Sequence, residues 1–389
     1  AAGTGGHINP AIAIANKIRE EEKDSEIIFI GTKRGLETDL VPRAGYELKT
    51  IDSYGLTRHI NLENLKRLNK TIHSIKQAQK IIREFKPDIV IGTGGYICVS
   101  VMRAAQKEKV KYIMHESNVL PGVATKLFAK KASKVLLGFE EAKERLPKEA
   151  KTVVTGTPTK VKKIDYTKEQ IIEKKKELGL DIDKKLILIF GGSQGAKSIN
   201  EAVKNLIINN EEQKHANTIT TMNEKKQMNE ISFNKDKNYE IMWAVGKKQY
   251  DSIKEELKCN QIDIDNIKDV KAYPYIYNME EVMNISDLIV SRSGAMTITE
   301  IEKIGKGAIF IPYPYAAENH QEYNARALEK KGAAEVILDK DLNADILEKS
   351  IEDLCNDEKK LKEMGEISNS LSIKNVEDKI YAEIKHALK

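Results

Sequence analysis

The chain is short of cysteine, aromatic residues and long apolar runs, and each shortage removes a class of function. Its three cysteines, Cys98, Cys259 and Cys355, are far apart and odd in number. That argues against a disulfide framework or a zinc site built on paired cysteines, and fits a reducing, cytosolic compartment. Aromatic residues make up only 6% of the chain, so a nucleic-acid platform of stacked rings is not expected. No stretch reaches the roughly 20 apolar residues that cross a bilayer. The best uncharged run, 89–102, is broken by Gly92, Gly94 and Gly95. No signal peptide is read. His115-Glu116 has no second histidine four residues on, so a zinc-protease reading fails.

What is present is a repeated device. Three glycine-rich turns open helical patterns, 3–7, 92–96 and 191–196, and the second and third end apolar runs, 89–91 and 186–190. Glycine lets backbone approach a ligand, and the helix start beyond it offers free N–H groups and partial positive charge. One such turn can be a tight connection and nothing more. Three point to a phosphate-bearing substrate held between two α/β domains.

At 389 residues, two domains are expected. Strand-like runs at 27–30, 89–91, 112–115, 135–137 and 152–155 alternate with helical patterns at 9–22, 62–85 and 99–108. Asn9-Pro10 reads as a helix start. The second half repeats the alternation, with strands at 186–190, 241–245, 270–273, 288–290, 308–311 and 335–337. Such alternation means parallel sheets covered on both faces. By the same pattern a strand is expected ahead of the first turn, before Ala1. The boundary falls near Gly156-Thr157-Pro158, giving domains 1–157 and 158–372. Residues 210–238 read as a polar surface insertion, and 373–389 as a helix packing back on the first domain.

Charge is uneven. Residues 1–155 hold 27 Lys and Arg against 18 Asp and Glu, a balance of +9, while the remainder balances to −4. Arg58, Lys66, Arg67, Lys70, Lys76, Lys80, Arg83 and Lys86 follow one helical pattern. Lys126, Lys130, Lys131 and Lys134 interleave with Leu127 and Phe128 on another. Basic residues beside apolar ones suit an anionic bilayer surface. Ordinary solvated helix faces are the alternative.

Ligands of open parallel sheets sit at the carboxyl ends of strands. There, Ser193 sets a hydroxyl beside free N–H groups, which suits a phosphate oxygen. His7, at a helix start, suits a general base near pH 7 or a mere loop contact. Glu300, one to two turns into a helix after the strand 288–290, could accept both hydroxyls of a ribose diol, or be a surface residue. His320, Gln321 and Asn324 suit sugar hydroxyls, or cap a loop. Asn200 reads as structural.

Together these segments resemble the MurG family of bacterial lipid-linked N-acetylglucosamine transferases. The resemblance rests on GTGGHINPA (3–11), GTGGY (92–96), HESNVLPG (115–122), GGSQGAKSIN (191–200), SRSGAMTITE (291–300) and NHQEYNA (319–325), in family order. It implies two Rossmann-like domains facing across a cleft, the GT-B architecture. It implies transfer of N-acetylglucosamine from UDP-N-acetylglucosamine to the 4-hydroxyl of the muramyl sugar of a lipid-linked pentapeptide acceptor, a step of peptidoglycan synthesis. Its partners would be that acceptor, the anionic cytoplasmic face of the plasma membrane and cell-wall synthesis or division proteins, with no nucleic acid.

By matching position, the resemblance assigns the donor to Thr4, Gly5, Gly6, Asn118, Lys160, Ser193, Ile276 (through its backbone), Ala295, Met296, Thr297, Ile298, Thr299, Glu300 and Gln321. It assigns the acceptor and its diphosphate to Gly94, Gly95 and Tyr96, and makes His7 the base or an acceptor contact. Helix dipoles, loop N–H groups, Ser193 and Lys160 would stabilise the leaving UDP, so no obligatory metal or other cofactor is expected. Departures from the family pattern lie at Thr157 and Lys160, where an Asn and an Arg are common, and at Ala244-Val245, where a His-Gln pair is common. Rival readings are a galactosyl-diacylglycerol synthase, a UDP-sugar epimerase and a nucleotide-sugar-binding scaffold without activity.

Overall fold

A computed structural model describes residues 3–53, 62–192, 195–219, 237–267 and 269–389, with backbone alone for 62–70 and 211–219. The chain divides into two compact units, 1–160 with 373–389, and 161–372.

In the first unit, β1 (Ile28–Gly31) and β2 (Glu47–Thr50) form a parallel pair. Strands β3 (Ile89–Gly92), β4 (Lys111–Glu116), β5 (Lys134–Leu137) and β6 (Thr152–Val154) form a second parallel sheet in that spatial order. Short β-branched runs explain β3 and β6, while β4 and β5 are strands through buried residues such as Ile113, Met114, Val135 and Leu136. The strand Glu47–Thr50 was not foreseen, because Glu-Leu-Lys-Thr is mostly polar; it lies at a sheet edge with an alternating exposed pattern. Among the described residues β1 pairs only with β2 and β3 only with β4, and one cavity of about 920 Å³ is walled by side chains such as Ile14, Phe29, Ile81, Ile91 and Met102. The strand expected before Ala1 lies outside the described residues.

The first helix spans Gly5–Glu21, four residues earlier than Asn9-Pro10 led us to expect. Thr4 takes the extended N-cap conformation, and Pro10 sits inside the helix. Only one backbone bond is forfeited there, the one to the Gly6 carbonyl. The C-terminal helix Val376–Leu388 belongs to this unit. Its Val376, Ile380 and Ile384 pack with Ile14, Ile113 and Leu136, Tyr381 donates to Glu22 at 2.7 Å, and Lys17 pairs with Asp378 at 2.6 Å.

The second unit is one six-stranded parallel sheet. Its strands are β7 (Lys185–Phe190), β8 (Tyr239–Ala244), β9 (Val270–Tyr273), β10 (Leu288–Ser291), β11 (Gly307–Phe310) and β12 (Ala334–Val336). The spatial order is β12-β11-β10-β7-β8-β9. Strands β10 and β11 are buried throughout, because helices cover both faces. The chain runs outward from β7 through β8 to β9, then returns to the other side of β7 at β10. The topological switch point therefore lies between β7 and β10, where crevices for ligands form at the carboxyl ends. The polar segment 210–238 is not all insertion: helix Lys197–Ile219 continues into it, and β8 begins at Tyr239. Residues 220–236 lie outside the described set.

Candidate functional site

In the first unit the first and second glycine turns are neighbours. Thr93 Oγ1 donates to the His7 carbonyl at 2.7 Å. A Cβ on Gly3 would stand 3.8 Å from the Tyr96 ring, and Tyr96 itself is 37% exposed. Thr4 Oγ1 lies 3.3 Å from His7 Nδ1 and orients the imidazole. Gly94 and Gly95 take φ values of +96° and +82°, which a side chain resists. The N–H groups of Gly5 and Gly6 start a helix and have no intrahelical acceptor. A half-buried histidine, backbone donors and a half-exposed tyrosine thus share one surface of this unit.

Asn118 lies on the loop after β4. Its backbone N–H and its side-chain amide both donate to Glu116 Oε1, at 3.0 and 3.1 Å. Glu116 Oε2 accepts from Gly122 N–H and Thr125 Oγ1, both at 2.8 Å. One buried carboxylate therefore shapes the whole loop. His115 points into the core, fully buried, its Nε2 3.0 Å from the Gly156 carbonyl. Burial pulls its pKa down to about 4 against the opposing hydrogen bond to the Gly156 carbonyl, so it is neutral near pH 7 and structural. Lys160 is exposed and closes the first unit.

Beyond Glu116, the helix Val123–Phe128 leaves Val123 and Leu127 56% and 63% exposed beside Lys126, Lys130 and Lys131. The basic face is partly neutralised: Lys130 pairs with Glu149 at 3.2 Å, Lys134 with Glu383 at 3.1 Å and Arg83 with Glu108 at 2.8 Å. Arg58 lies outside the described residues, as do the side chains of Lys66, Arg67 and Lys70.

In the second unit, two segments flank the switch point. After β7, Gly195 is tightly packed: a Cβ there would stand 2.2 Å from the Val245 carbonyl oxygen. Ser193 and Gln194 lie outside the described residues. Asn200 is buried and donates to that same carbonyl at 2.8 Å while accepting from Trp243 Nε1 at 3.1 Å. After β10, Gly294 caps the helix Ala295–Ile304 in an extended conformation, and a Cβ there would meet nothing within 4 Å. Open space over free helix N–H groups suits a diphosphate.

The run 295–300 divides by burial. Met296, Thr297, Thr299 and Glu300 are half-buried, whereas Ala295 is 8% exposed and Ile298 fully buried. The expectation that Ile298 lines a nucleotide is thus corrected for its side chain: at helical spacing it falls on the core-facing stripe. Ile276 is also buried, between the exposed Tyr275 and Tyr277, so its backbone is the part that can meet a ligand. Asn324 is corrected as well: it is fully buried and donates to the Ser293 carbonyl at 3.3 Å rather than presenting itself to a sugar. Gln321 is half-buried, and its Oε1 accepts the Tyr313 N–H at 3.0 Å. His320 Nδ1 is 2.8 Å from the Ala317 carbonyl.

Sequence reasoning passed over Arg292. Its guanidinium donates to the carbonyls of Ile311 and Pro312 at 3.0 and 3.1 Å and to Ser198 Oγ at 2.8 Å, and lies 5.4 Å from the Tyr313 ring centroid. It also pairs with Asp339. It thus ties the carboxyl ends of β10 and β11 to the helix after the third glycine turn. A basic residue directly after a strand was the available signal. Lys247, 5.3 and 5.7 Å from the Tyr275 and Tyr277 ring centroids, was also missed.

The chain matches the Glycosyltransferase family 28 N-terminal domain over residues 1–137 and the Glycosyltransferase family 28 C-terminal domain over residues 186–380. A relative from a Thermoanaerobacter species is 42% identical, with 98% of this chain and 97% of that protein covered. One from Acetivibrio thermocellus is 39% identical, with 100% and 96% covered. Both are named UDP-N-acetylglucosamine–N-acetylmuramyl-(pentapeptide) pyrophosphoryl-undecaprenol N-acetylglucosamine transferase. The crystal structure of Acinetobacter baumannii MurG shares the fold, with a TM-score of 0.72 at 23% identity over 99% of this chain and 97% of that one. The chain therefore belongs to glycosyltransferase family 28 and, within it, to the MurG family.

Proposed function

We propose that this protein transfers N-acetylglucosamine from UDP-N-acetylglucosamine to the 4-hydroxyl of a lipid-linked muramyl pentapeptide. The observation that carries the reading is kinship over 98% of the chain with transferases of that name. The geometry supplies parts suited to the chemistry. The helix start at Ala295 and the glycines Gly191, Gly192 and Gly195 after β7 flank the switch point of a parallel sheet, where the donor diphosphate is stabilised as it leaves. Met296, Thr297 and Thr299 line the nucleotide, the Ile276 backbone reads its base, and Glu300 accepts the ribose hydroxyls. Gln321 offers its amide nitrogen to the sugar.

In the first unit, His7 takes the proton of the attacking hydroxyl, oriented by Thr4. Tyr96 and the N–H groups of Gly94 and Gly95 meet the acceptor. Attack displaces UDP in line and inverts the anomeric carbon. The bond from sugar to acceptor oxygen forms as that to the UDP oxygen breaks, and the proton leaves on His7. The exposed Val123 and Leu127, with Lys126, Lys130 and Lys131, dock on an anionic bilayer, which presents the lipid-linked acceptor.

The test is UDP release from UDP-N-acetylglucosamine with and without a short-chain lipid-linked muramyl pentapeptide. Acceptor-dependent release that is lost in His7→Ala and Glu300→Ala supports the reading. Release without acceptor favours an epimerase or hydrolase, and donor binding without release an inactive relative.

A further inference from the structure

A buried carboxylate outside the assigned site holds the turn that carries His7. Glu37 opens the short helix Glu37–Arg43 and has no exposed surface. Its Oε2 accepts the Gly3 N–H at 3.0 Å. Its Oε1 accepts the Thr32 N–H at 3.0 Å and the Thr32 hydroxyl at 2.7 Å. Thr32 is itself 1% exposed. Two glycines clear the space for this side chain: a Cβ on Gly31 would stand 2.8 Å from Glu37 Cγ, and one on Gly35 would stand 1.9 Å from Oε2.

Burial alone would raise the pKa of this carboxyl. The hydrogen bonds from Gly3 and Thr32 outweigh that effect and bring it below its ordinary value, so the group is an anion at neutral pH. A buried anion is expensive unless every partner is in place, and an apolar side chain would fill the same space more cheaply. What an apolar residue cannot do is accept the Gly3 N–H. Gly3, at φ +98°, precedes the N-cap Thr4, whose carbonyl accepts the His7 N–H at 3.0 Å. Anchoring Gly3 therefore sets where helix Gly5–Glu21 begins, and the direction in which His7 and the Gly5 and Gly6 N–H groups face. A negative charge near a helix start is favourable in addition.

We infer that Glu37 is the positioning residue of the His7 turn, a rigid anionic post to which the loop's first N–H is tied and on which the imidazole geometry depends. The inference rests on the proposed reading that His7 meets the acceptor. It goes beyond that reading by naming what holds His7 in place.

The experiment compares wild type with Glu37→Gln and Glu37→Asp in three measurements: acceptor-dependent turnover, UDP affinity by calorimetry, and the imidazole NMR resonances of His7 and His115. Gln sets an N–H₂ group against the donors of Gly3 or Thr32. Asp is one methylene too short to span both. For both variants the expected result is a roughly 10- to 100-fold fall in kcat, as for a misplacement of about 1 Å. UDP affinity stays within about twofold, the His7 resonance shifts and its Gly3 amide exchanges faster. The His115 resonance, in the core of the same unit, stays in place, which a general loss of structure would not permit.

Wild-type kcat in a folded Glu37→Gln protein overturns the inference. So does a fall in kcat matched by movement of His115. Should Glu37→Gln fail to fold, Thr32→Val decides, since it removes one bond to Oε1 and keeps the carboxylate: a shifted His7 with reduced kcat supports the inference, and an unmoved His7 ends it. If His7→Ala retains full turnover, the reading of His7 falls. The His7 resonance and the Gly3 exchange still decide what Glu37 positions.

Discussion

Gly94 lies directly beneath His7: a Cβ on residue 94 would stand 2.7 Å from His7 Cδ2 and 3.0 Å from Nε2. The two residues come from different glycine turns, joined also by the bond from Thr93 Oγ1 to the His7 carbonyl. Gly94→Ala therefore meets two obstacles, the imidazole and a φ of +96°. The ring must move, and turnover is expected to fall roughly 10- to 100-fold with UDP affinity little changed. Steady-state kinetics beside UDP calorimetry check this; unchanged kcat would show that His7 placement does not matter.

Glu300 is half-buried in the second turn of helix Ala295–Ile304. Glu300→Gln removes a charge-assisted acceptor, so donor KM should rise about 10- to 100-fold while stability changes little. A thermal shift as large as that of a core variant, or an unchanged donor KM, would remove Glu300 from the ribose role.

Asn200 belongs to the scaffold. Asn200→Ala leaves the Trp243 indole N–H without its acceptor and the Val245 carbonyl without a donor, both buried. The loss expected in denaturant unfolding is about 1–3 kcal/mol, with the donor KM of the remaining folded protein near wild type.

His115 makes stability depend on pH. Its pKa of about 4 lies below the ordinary histidine value of 6.5, so between these limits the unfolded chain binds the extra proton. Stability is fully present above about pH 6.5 and falls as pH drops toward 4, by on the order of 3 kcal/mol in total. His115→Gln should flatten this part of the stability profile. An equal slope in both proteins would assign it to other groups.

Val123→Glu with Leu127→Glu places two carboxylates where exposed apolar side chains stand beside Lys126, Lys130 and Lys131. Cosedimentation with anionic phosphatidylglycerol vesicles should drop about tenfold or more. Turnover of a short-chain acceptor in detergent-free solution should not change, since the lost surface serves the bilayer.

Much of the local structure was legible because it is written in local chemistry. Apolar runs such as Leu186–Phe190 can be buried only between two helical layers, so they read as central parallel strands. Glycine turns after such runs mark carboxyl ends. Glu47–Thr50 was missed because an edge strand needs no apolar pattern. Helix Gly5–Glu21 starts at the turn because Thr4 adopts the cap conformation, which Asn9-Pro10 obscured.

The sequence by itself determined the α/β alternation, the glycine turns at strand ends and the family, since each depends on residue type and order along the chain. Only the tertiary structure decided which side chains those turns face. Whether Ile298 points to the core, whether Asn324 is free for a ligand, that Glu37 reaches Gly3 from 34 residues away, and that Gly94 underlies His7 are matters of packing. They depend on distances between segments far apart in the chain, and no local pattern encodes those distances.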